Sequence, residues 1–280
     1  MPITLDEVSF TYAPGTAFES VALSSISLTV SEGEFVGIVG HTGCGKSTLV
    51  QLMAGLLRPT SGKIMLDSED INRKGYHRDE LREKVGILFQ FPECQLFETT
   101  VRRDVAFGLK HLPLSAEEKD ERVRWALETA GFSFDDIRDQ SPLGLSGGEK
   151  RRVAIAGVLA AKPQILILDE PVASLDPVGR REFMELISRL NRDGTTIIMI
   201  SHNADILSEY AERILVLKSG RLCIDAPLKE TFQDMTSLDA YNLAVSQPRK
   251  IAHMLQQKGL PFPQNVIRYE ELLAAIITFV

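Results

Sequence analysis

Three short stretches, far apart in the chain, carry residue types at spacings that suit phosphate chemistry. Gly40-His41-Thr42-Gly43-Cys44-Gly45-Lys46-Ser47-Thr48 has the Gly-x-x-x-x-Gly-Lys-Ser pattern. It stands between an apolar run, Phe35 to Val39, and a segment with Leu49, Leu52, Met53 and Leu56 at helical intervals. Glycines permit backbone geometry closed to other residues, so consecutive N–H groups can point inward at phosphates beside the positive end of a helix. Lys46 then supplies a cation to the β/γ oxygens, and the Ser47 hydroxyl suits Mg²⁺. In Ile165-Leu166-Ile167-Leu168-Asp169-Glu170 a buried strand delivers carboxylates rigidly at its end. Asp169 is expected to bind Mg²⁺ through water, and Glu170 to orient and deprotonate an attacking water. The third stretch, Leu145-Ser146-Gly147-Gly148-Glu149, offers backbone N–H groups to another phosphate ahead of a helix. A phosphate loop alone says only that a nucleotide binds; the second glycine loop, far downstream, describes a split site.

The elements that must position these groups can be read from the apolar patterning. Residues 3–12 and 21–30 alternate apolar and polar side chains around an Ala13-Pro14-Gly15 turn, as strands of an antiparallel lobe do. The continuous run 35–39 suits a strand buried on both faces of a parallel sheet, and 85–89, 165–168, 196–200 and 214–217 supply further candidates. Residues 100–161 are mostly helical in pattern and read as an inserted lobe. Near 226 the texture changes, and Pro227, Pro248, Pro261 and Pro263 punctuate helical patterns at about 228–235, 248–258 and 269–277.

With these motifs in this order the sequence resembles an ATP-binding-cassette (ABC) ATPase subunit. The resemblance implies an α/β fold of the P-loop NTPase class: a RecA-like parallel-sheet core, an antiparallel β lobe, an inserted helical lobe at about 91–160 and a small C-terminal helical appendage. The division expected is an ATPase domain over 1–225 and an appendage over 226–280. It further implies that Thr48 contacts an α-phosphate oxygen, and that Gln90, after Val85-Gly86-Ile87-Leu88-Phe89, senses Mg²⁺ and the attacking water. His202, after Thr196 to Ser201, resembles the switch histidine that contacts the γ-phosphate. Tyr12 resembles the aromatic that stacks on adenine, although stacking is sequence-tolerant and a plain strand-surface role also fits. Ser174-Leu175-Asp176 matches the loop that crosses the dimer seam, and Asp176-Pro177 equally suits a helix N-cap followed by Pro in the first turn. In such a dimer Ser146, Gly147 and Gly148 reach the partner's ATP. Glu149 replaces the commoner Gln and is not expected to be a contact.

A narrower resemblance lies in Phe89-Gln90-Phe91-Pro92-Glu93-Cys94-Gln95-Leu96-Phe97, in the segment Thr100 to Gly108, in Val153 to Ala160, and in the tail from Gln247 to Pro261. These are similar to the energy-coupling factor branch of importers, especially its second ATPase subunit. That implies ATP hydrolysis driving uptake of vitamins or other micronutrients, or of cobalt or nickel, across a bacterial cytoplasmic membrane. The implied partners are a paralogous second ATPase, a transmembrane coupling protein (T component) and a substrate-binding membrane protein (S component), with the chain on the cytoplasmic face and the appendage joining the two ATPases. The groove that receives the coupling protein is expected near Gln90–Phe97 and 100–108, with Phe97, Val101, Val105 and Phe107 as anchors; ordinary core packing suits the same residues equally well. Val172, Ser174 and Cys44 depart from the commoner Thr, Gly and Ser, and none removes a phosphate or metal ligand.

Composition narrows the alternatives. A net charge of -7 and a pI near 5.4 lack the basic excess of a sequence-independent nucleic-acid binder, so no nucleic-acid partner is expected. Lys150-Arg151-Arg152 reads as a solvated face or as counter-charge to the phosphate site. No stretch approaches the roughly 18 to 20 apolar residues of a membrane span. Cys44, Cys94 and Cys223 are odd in number and scattered, which supports neither a disulfide framework nor a zinc site. Cys44 stands before a helix N-terminus beside Lys46, so its thiolate is expected to be favoured, open to the phosphate site and faster to react than Cys223. A soluble cassette acting on ribosomes or DNA would carry a second cassette, a coiled-coil insertion or basic tails, and a kinase-like phosphate-loop enzyme would lack the 145–149 loop and His202.

Overall fold

The computed structural model describes residues 1–173, 175–233 and 244–279. Two sheets organise it. The first has the order β2-β1-β4-β5, with β1 at Ile3–Tyr12, β2 at Ser20–Val30, β4 at Ser61–Leu66 and β5 at Glu69–Asp70, all antiparallel. The second has the order β10-β9-β3-β8-β7-β6. Here β3 (Phe35–Val39), β6 (Val85–Leu88), β7 (Ile165–Asp169), β8 (Thr196–Ile200) and β9 (Arg213–Lys218) run parallel, and β10 (Arg221–Pro227) closes one edge antiparallel to β9.

Side chains alternate across a strand, and in the second sheet the alternation feeds two cores. Ile165, Ile167, Ile198, Ile200, Leu215 and Leu217 point to one face, where they meet Leu49, Leu52 and Met53 of α1 (Lys46–Met53) and the inner face of the first sheet. Leu166, Leu168, Ile197, Met199, Ile214 and Val216 point to the other. There they meet helices α3 (Val101–Phe107), α4 (Ala116–Thr129), α5 (Phe134–Ile137), α6 (Gly147–Leu159) and α7 (Pro177–Arg192). Burial on both faces explains the uninterrupted apolar runs of β7 and β8, and each such aliphatic side chain contributes about 1.5–3 kcal/mol relative to exposure. Arg213 ties the sheets together: its Nη1 donates to Thr29 O of β2 at 2.8 Å, while Glu34 and Asp225 flank the same guanidinium.

The expected strands over 3–12, 21–30 and 35–39 and those near 85, 165, 196 and 214 are present, as are the helices within 100–161. Missing from the sequence reading are β4, β5, β10, α2 (Arg78–Lys84) and the helix Ala204–Tyr210. Only Ile64 and Leu66 of β4 are buried, and β10 alternates exposed with half-buried residues, so neither makes an apolar run.

C-terminal to β10 come α9 (Leu228–Gln233), α10 (Gln247–Gln257) and α11 (Tyr269–Phe279). The last two residues of the helical pattern expected at 228–235 lie outside the described residues. Ala252, Phe262, Val266 and Leu272 form a small core between α10 and α11, whereas Leu228, Phe232, Val245 and Ile267 join the larger one. The tail is pinned to α8 (Ala204–Tyr210): Gln247 N donates to Asp205 Oδ1 at 2.6 Å, Arg268 Nε to Ser208 O at 2.9 Å and Tyr269 N to Glu209 Oε1 at 2.9 Å.

Candidate nucleotide site

The C-terminal ends of β3, β7 and β8 open on a cavity of about 980 Å³. The loop from β3 into α1 forms one wall, and two glycines are required by its close packing. At Gly40, φ 149°, a Cβ would stand 2.3 Å from Leu217 O and 2.7 Å from Cys44 Sγ; at Gly45, φ 106°, it would stand 2.7 Å from Ala22 O. The loop therefore closes tightly on β9 and β2 and leads directly into the start of α1, where the positive end of a helix favours anions. Lys46 is buried, and its Nζ donates to Gly40 O at 2.8 Å and His41 O at 3.1 Å, which holds the ammonium inside the loop.

Tyr12, Thr42, Gly43, Gly45, Lys46, Ser47, Thr48, Gln90, Asp169, Glu170 and His202, all singled out from the sequence, line this one cavity. Tyr12 packs edge-on against Phe10 and its hydroxyl lies 3.1 Å from Thr48 Oγ1, which leaves the ring half exposed at the cavity mouth. Asp169 is buried at the end of β7. Glu170 follows with a positive φ of 49° and is fixed by its own N–H donating to Ile200 O at 3.0 Å. Its Oε1 is buried, 3.4 Å from His202 Nε2, and has no hydrogen-bond partner. Burial pushes the Glu170 carboxyl above its ordinary range; the imidazole and backbone of His202 pull the other way, and Asp169 adds to the rise.

Three members of the expected nucleotide set do not line the cavity: Gly40, His41 and Cys44. His41 is exposed, with Nδ1 2.8 Å from Thr42 O. The expectation for Cys44 is corrected: the side chain is 1% exposed and turned into the core, where it packs against the Gly40 backbone. Burial raises its thiol, and Lys46 and backbone N–H groups offset only part of that. Cys94 and Cys223 are the exposed thiols.

The 146–148 loop is elsewhere. Ser146 and Gly148, with Asp176, border a second cavity of about 610 Å³ between α6 and α7; Gly147 is the exposed first residue of α6. Ser146 caps α6, its Oγ accepting from Glu149 N at 3.3 Å and donating to Glu149 Oε2 at 2.7 Å. Glu149 thus works within the helix end, and the Ser146 hydroxyl and N–H hold its carboxyl below the usual range. Asp176 Oδ1 accepts from Gly179 N at 2.7 Å as the N-cap of α7, so the capping geometry is realised at the cavity rim. Ser174 lies outside the described residues.

One open reading is decided, in favour of core packing, and one expectation is corrected. Val101 and Val105 are 0% exposed and belong to the core, so they cannot anchor a partner, whereas Phe97 and Phe107 are exposed and meet edge-to-face at 4.8 Å. Arg151 is no part of a solvated face: it is 1% exposed and paired with Glu93. The sequence reading also passed over Arg180, Asn203, Gln247 and Lys250, which line the nucleotide cavity. Asn203 carried a signal, since it caps α8 by accepting from Asp205 N and Ile206 N; the other three carried none, because long polar residues on exposed helices have no periodic signature.

A phosphate-type loop, a paired strand-end carboxylate and a sheet with an inserted helical lobe define an ATP-binding cassette, and residues 23–173 match the family model described as ABC transporter. The chain is 46% identical to the energy-coupling factor transporter ATP-binding protein EcfA2 of Symbiobacterium thermophilum, over 99% of this chain and 96% of that one. It is 43% identical to EcfA2 of Clostridium acetobutylicum, over 96% and 95%. Among solved structures, cbiO1 of Clostridium perfringens, described as part of the ABC transporter complex cbiONQ, superposes with a TM-score of 0.74 at 38% identity, covering 91% of this chain and 98% of that one. The chain belongs to the family of energy-coupling factor transporter ATP-binding proteins, and so binds and hydrolyses ATP. Among the described residues no helix is long and apolar enough to cross a membrane.

Proposed function

We propose that this chain pairs with a second, paralogous ATPase at the cytoplasmic face of a bacterial membrane and powers an energy-coupling factor importer of vitamins or other micronutrients. One observation carries the reading: Lys46, Ser47, Gln90, Asp169, Glu170 and His202 converge on one cavity, while Ser146 and Gly148 border a different one. A phosphate held by the first set therefore needs its second glycine loop from another chain. The curated relatives and cbiO1, part of cbiONQ, support membrane partners of the same kind.

In this mechanism Tyr12 stacks on the adenine, and the 40–48 loop, with Lys46 as its cation and Thr48 toward the α-phosphate, grips the phosphates. Ser47, Gln90 and Asp169 offer a hydroxyl, an amide carbonyl and a carboxylate, an all-oxygen donor set that fits Mg²⁺. Bound there, the ion would neutralise charge on the β- and γ-phosphates. Glu170 accepts the proton of the attacking water, and His202 beside it holds the carboxylate and faces the γ-phosphate. Ser146, Gly147 and Gly148 bring the positive end of α6 to the partner's ATP, with Asp176 at the seam. Residues 1–225 form the ATPase domain in this reading and 226–280 the appendage that keeps the two ATPases together. Exposed Leu273, Ile276 and Ile277 on α11 and Met254 on α10 suit that contact.

Purification of the tagged chain from native membranes in detergent, with mass identification of what it retains, tests the proposal. A second ATPase and two membrane proteins are expected, and Lys46→Ala is expected to keep the assembly while abolishing ATP-driven uptake. Retention of ribosomal proteins or DNA in place of membrane proteins would overturn it.

A further inference from the structure

Residues C-terminal to β10 build part of the nucleotide-cavity wall. Val245, Gln247 and Lys250 line it beside Asn203 and Asp205. Gln247 and Lys250 stand three residues apart on α10 and so share a helix face. That face is held in place. Gln247 N donates to Asp205 Oδ1 at 2.6 Å, Ser246 Oγ to Ile267 O at 2.7 Å, and Val245, Pro248 and Arg249 are buried. Asp205 comes three residues after His202 in the chain, so α10 docks on the His202 side of the cavity. Tyr12, Ser20 and Val21 line it from the first sheet.

Lys46, Arg180 and Lys250 all line this cavity, and they differ in what holds them. Lys46 Nζ donates to Gly40 O and His41 O, and Arg180 Nη2 to Leu175 O at 3.4 Å. Lys250 is half-buried, and its ammonium has no ion pair or hydrogen bond among the described residues. Asp169, Glu170 and Asp205 share the cavity, yet none pairs with it. An ammonium that gives up hydration without gaining a partner is costly, and an anion in the cavity relieves that cost. Lysine, a point charge on a flexible stem, is a common phosphate binder.

We propose that Lys250 is a nucleotide-binding residue supplied by the C-terminal tail: its ammonium takes the terminal phosphate of ATP, so that α10 is tethered to the nucleotide by ATP and not by ADP. The inference rests on the reading of this cavity as the ATP site with the terminal phosphate at His202. Residues 1–225 then lack one phosphate contact, and the tail senses whether the terminal phosphate is present. A ligand can bias the tail only through such a difference in contacts between its two forms.

The test titrates the full chain, with Mg²⁺ present, against ADP and against the β,γ-imido analogue of ATP, as wild type, Lys250→Met, Lys250→Arg and Lys258→Met. Methionine keeps the length of the stem and removes the charge. Lys258, exposed at the end of α10, receives the same change away from the cavity. Lys250→Met is expected to lose at least about tenfold in affinity for the imido analogue while holding ADP within about twofold. Lys250→Arg is expected to recover most of that loss, and Lys258→Met to match the wild type. Hydrogen exchange over 247–257 is expected to slow in the wild type with the imido analogue and not with ADP, a difference that disappears in Lys250→Met. Equal losses for both nucleotides, which a structural lysine would give, would overturn the proposal, as would undiminished affinity for the analogue. A wild type that binds neither nucleotide removes the ATP-site reading and the proposal with it; a wild type that binds both places any failure on Lys250.

Discussion

In the mechanism proposed above Glu170 is the general base, and its surroundings bear on that role. Its φ of 49° is unusual for a non-glycine residue, and such backbone costs on the order of 1–3 kcal/mol, offset here by the N–H bond to Ile200 O. Glu170→Gln keeps the shape and removes the basicity, so turnover is expected to fall by roughly 10²- to 10⁴-fold with ATP binding retained; a phosphate-release assay beside equilibrium nucleotide binding checks both. The direction of the carboxyl's shift fixes a second outcome. A raised pKa keeps the group protonated to higher pH, and only the deprotonated form can take a proton from water. The acidic limb of the turnover profile is therefore expected above the usual glutamate range, and it should vanish from the residual activity of Glu170→Gln. Cys44 shows how a local motif misleads: its neighbours in sequence favour a thiolate, yet its side chain points into the core. A maleimide is expected to label Cys94 and Cys223 well before Cys44, and saturating Mg-ATP should leave those two rates unchanged, as peptide mapping over time would record.

At the scale of elements, the helix that carries the 146–148 loop is shaped by its own first turn. Ser146 and Glu149 satisfy each other's backbone N–H groups, so Ser146→Ala is expected to cost about 1 kcal/mol and lower the melting temperature by roughly 2–4 °C. Glu149→Gln can make the same bonds and should sit near the wild type in a thermal scan; the cap's acidic contribution is present at neutral pH and is lost as the pH falls through the lowered carboxyl pKa. Some elements were readable from sequence because their signals are local. The strands β3, β7 and β8, buried on both faces, print as unbroken apolar runs. The Ser146–Glu149 cap, although its spacing is equally local, was passed over because both residues were read only for their place in the glycine loop. By contrast β4 is half exposed and held by its register against β1, with Ile3 opposite Leu66 and Leu5 opposite Ile64. Its existence depends on a partner more than 50 residues away in the chain, which no short window of sequence contains. The same reasoning covers the site. Lys46, Ser47, Asp169 and Glu170 were legible as motifs, whereas Arg180, Gln247 and Lys250 reach the cavity only through the docking of α7 and α10.

For the whole molecule the open question of contact with the membrane machinery comes down to which apolar residues the fold leaves uncovered. The sequence offered Phe97, Val101, Val105 and Phe107 as equivalent anchors, and a helix buries one face at a time. In α3 the face bearing Val101 and Val105 goes to the core. Phe107, at the helix end, is exposed beside Phe97, with Lys110 3.9 Å above its ring. A small aromatic patch with a flanking cation remains, suited to receive part of another protein. Phe97→Asp places a charge at a position already 62% exposed, so folding by circular dichroism and ATP binding by the isolated chain are expected to be unchanged. Co-purification with the membrane component is expected to be lost. Val101→Asp, by contrast, buries an unpaired carboxylate and should unfold the lobe, which makes it the control for a disrupted core rather than a second probe of the patch. If the Phe97 variant still brings down the membrane component at wild-type yield, the docking surface is not this aromatic pair.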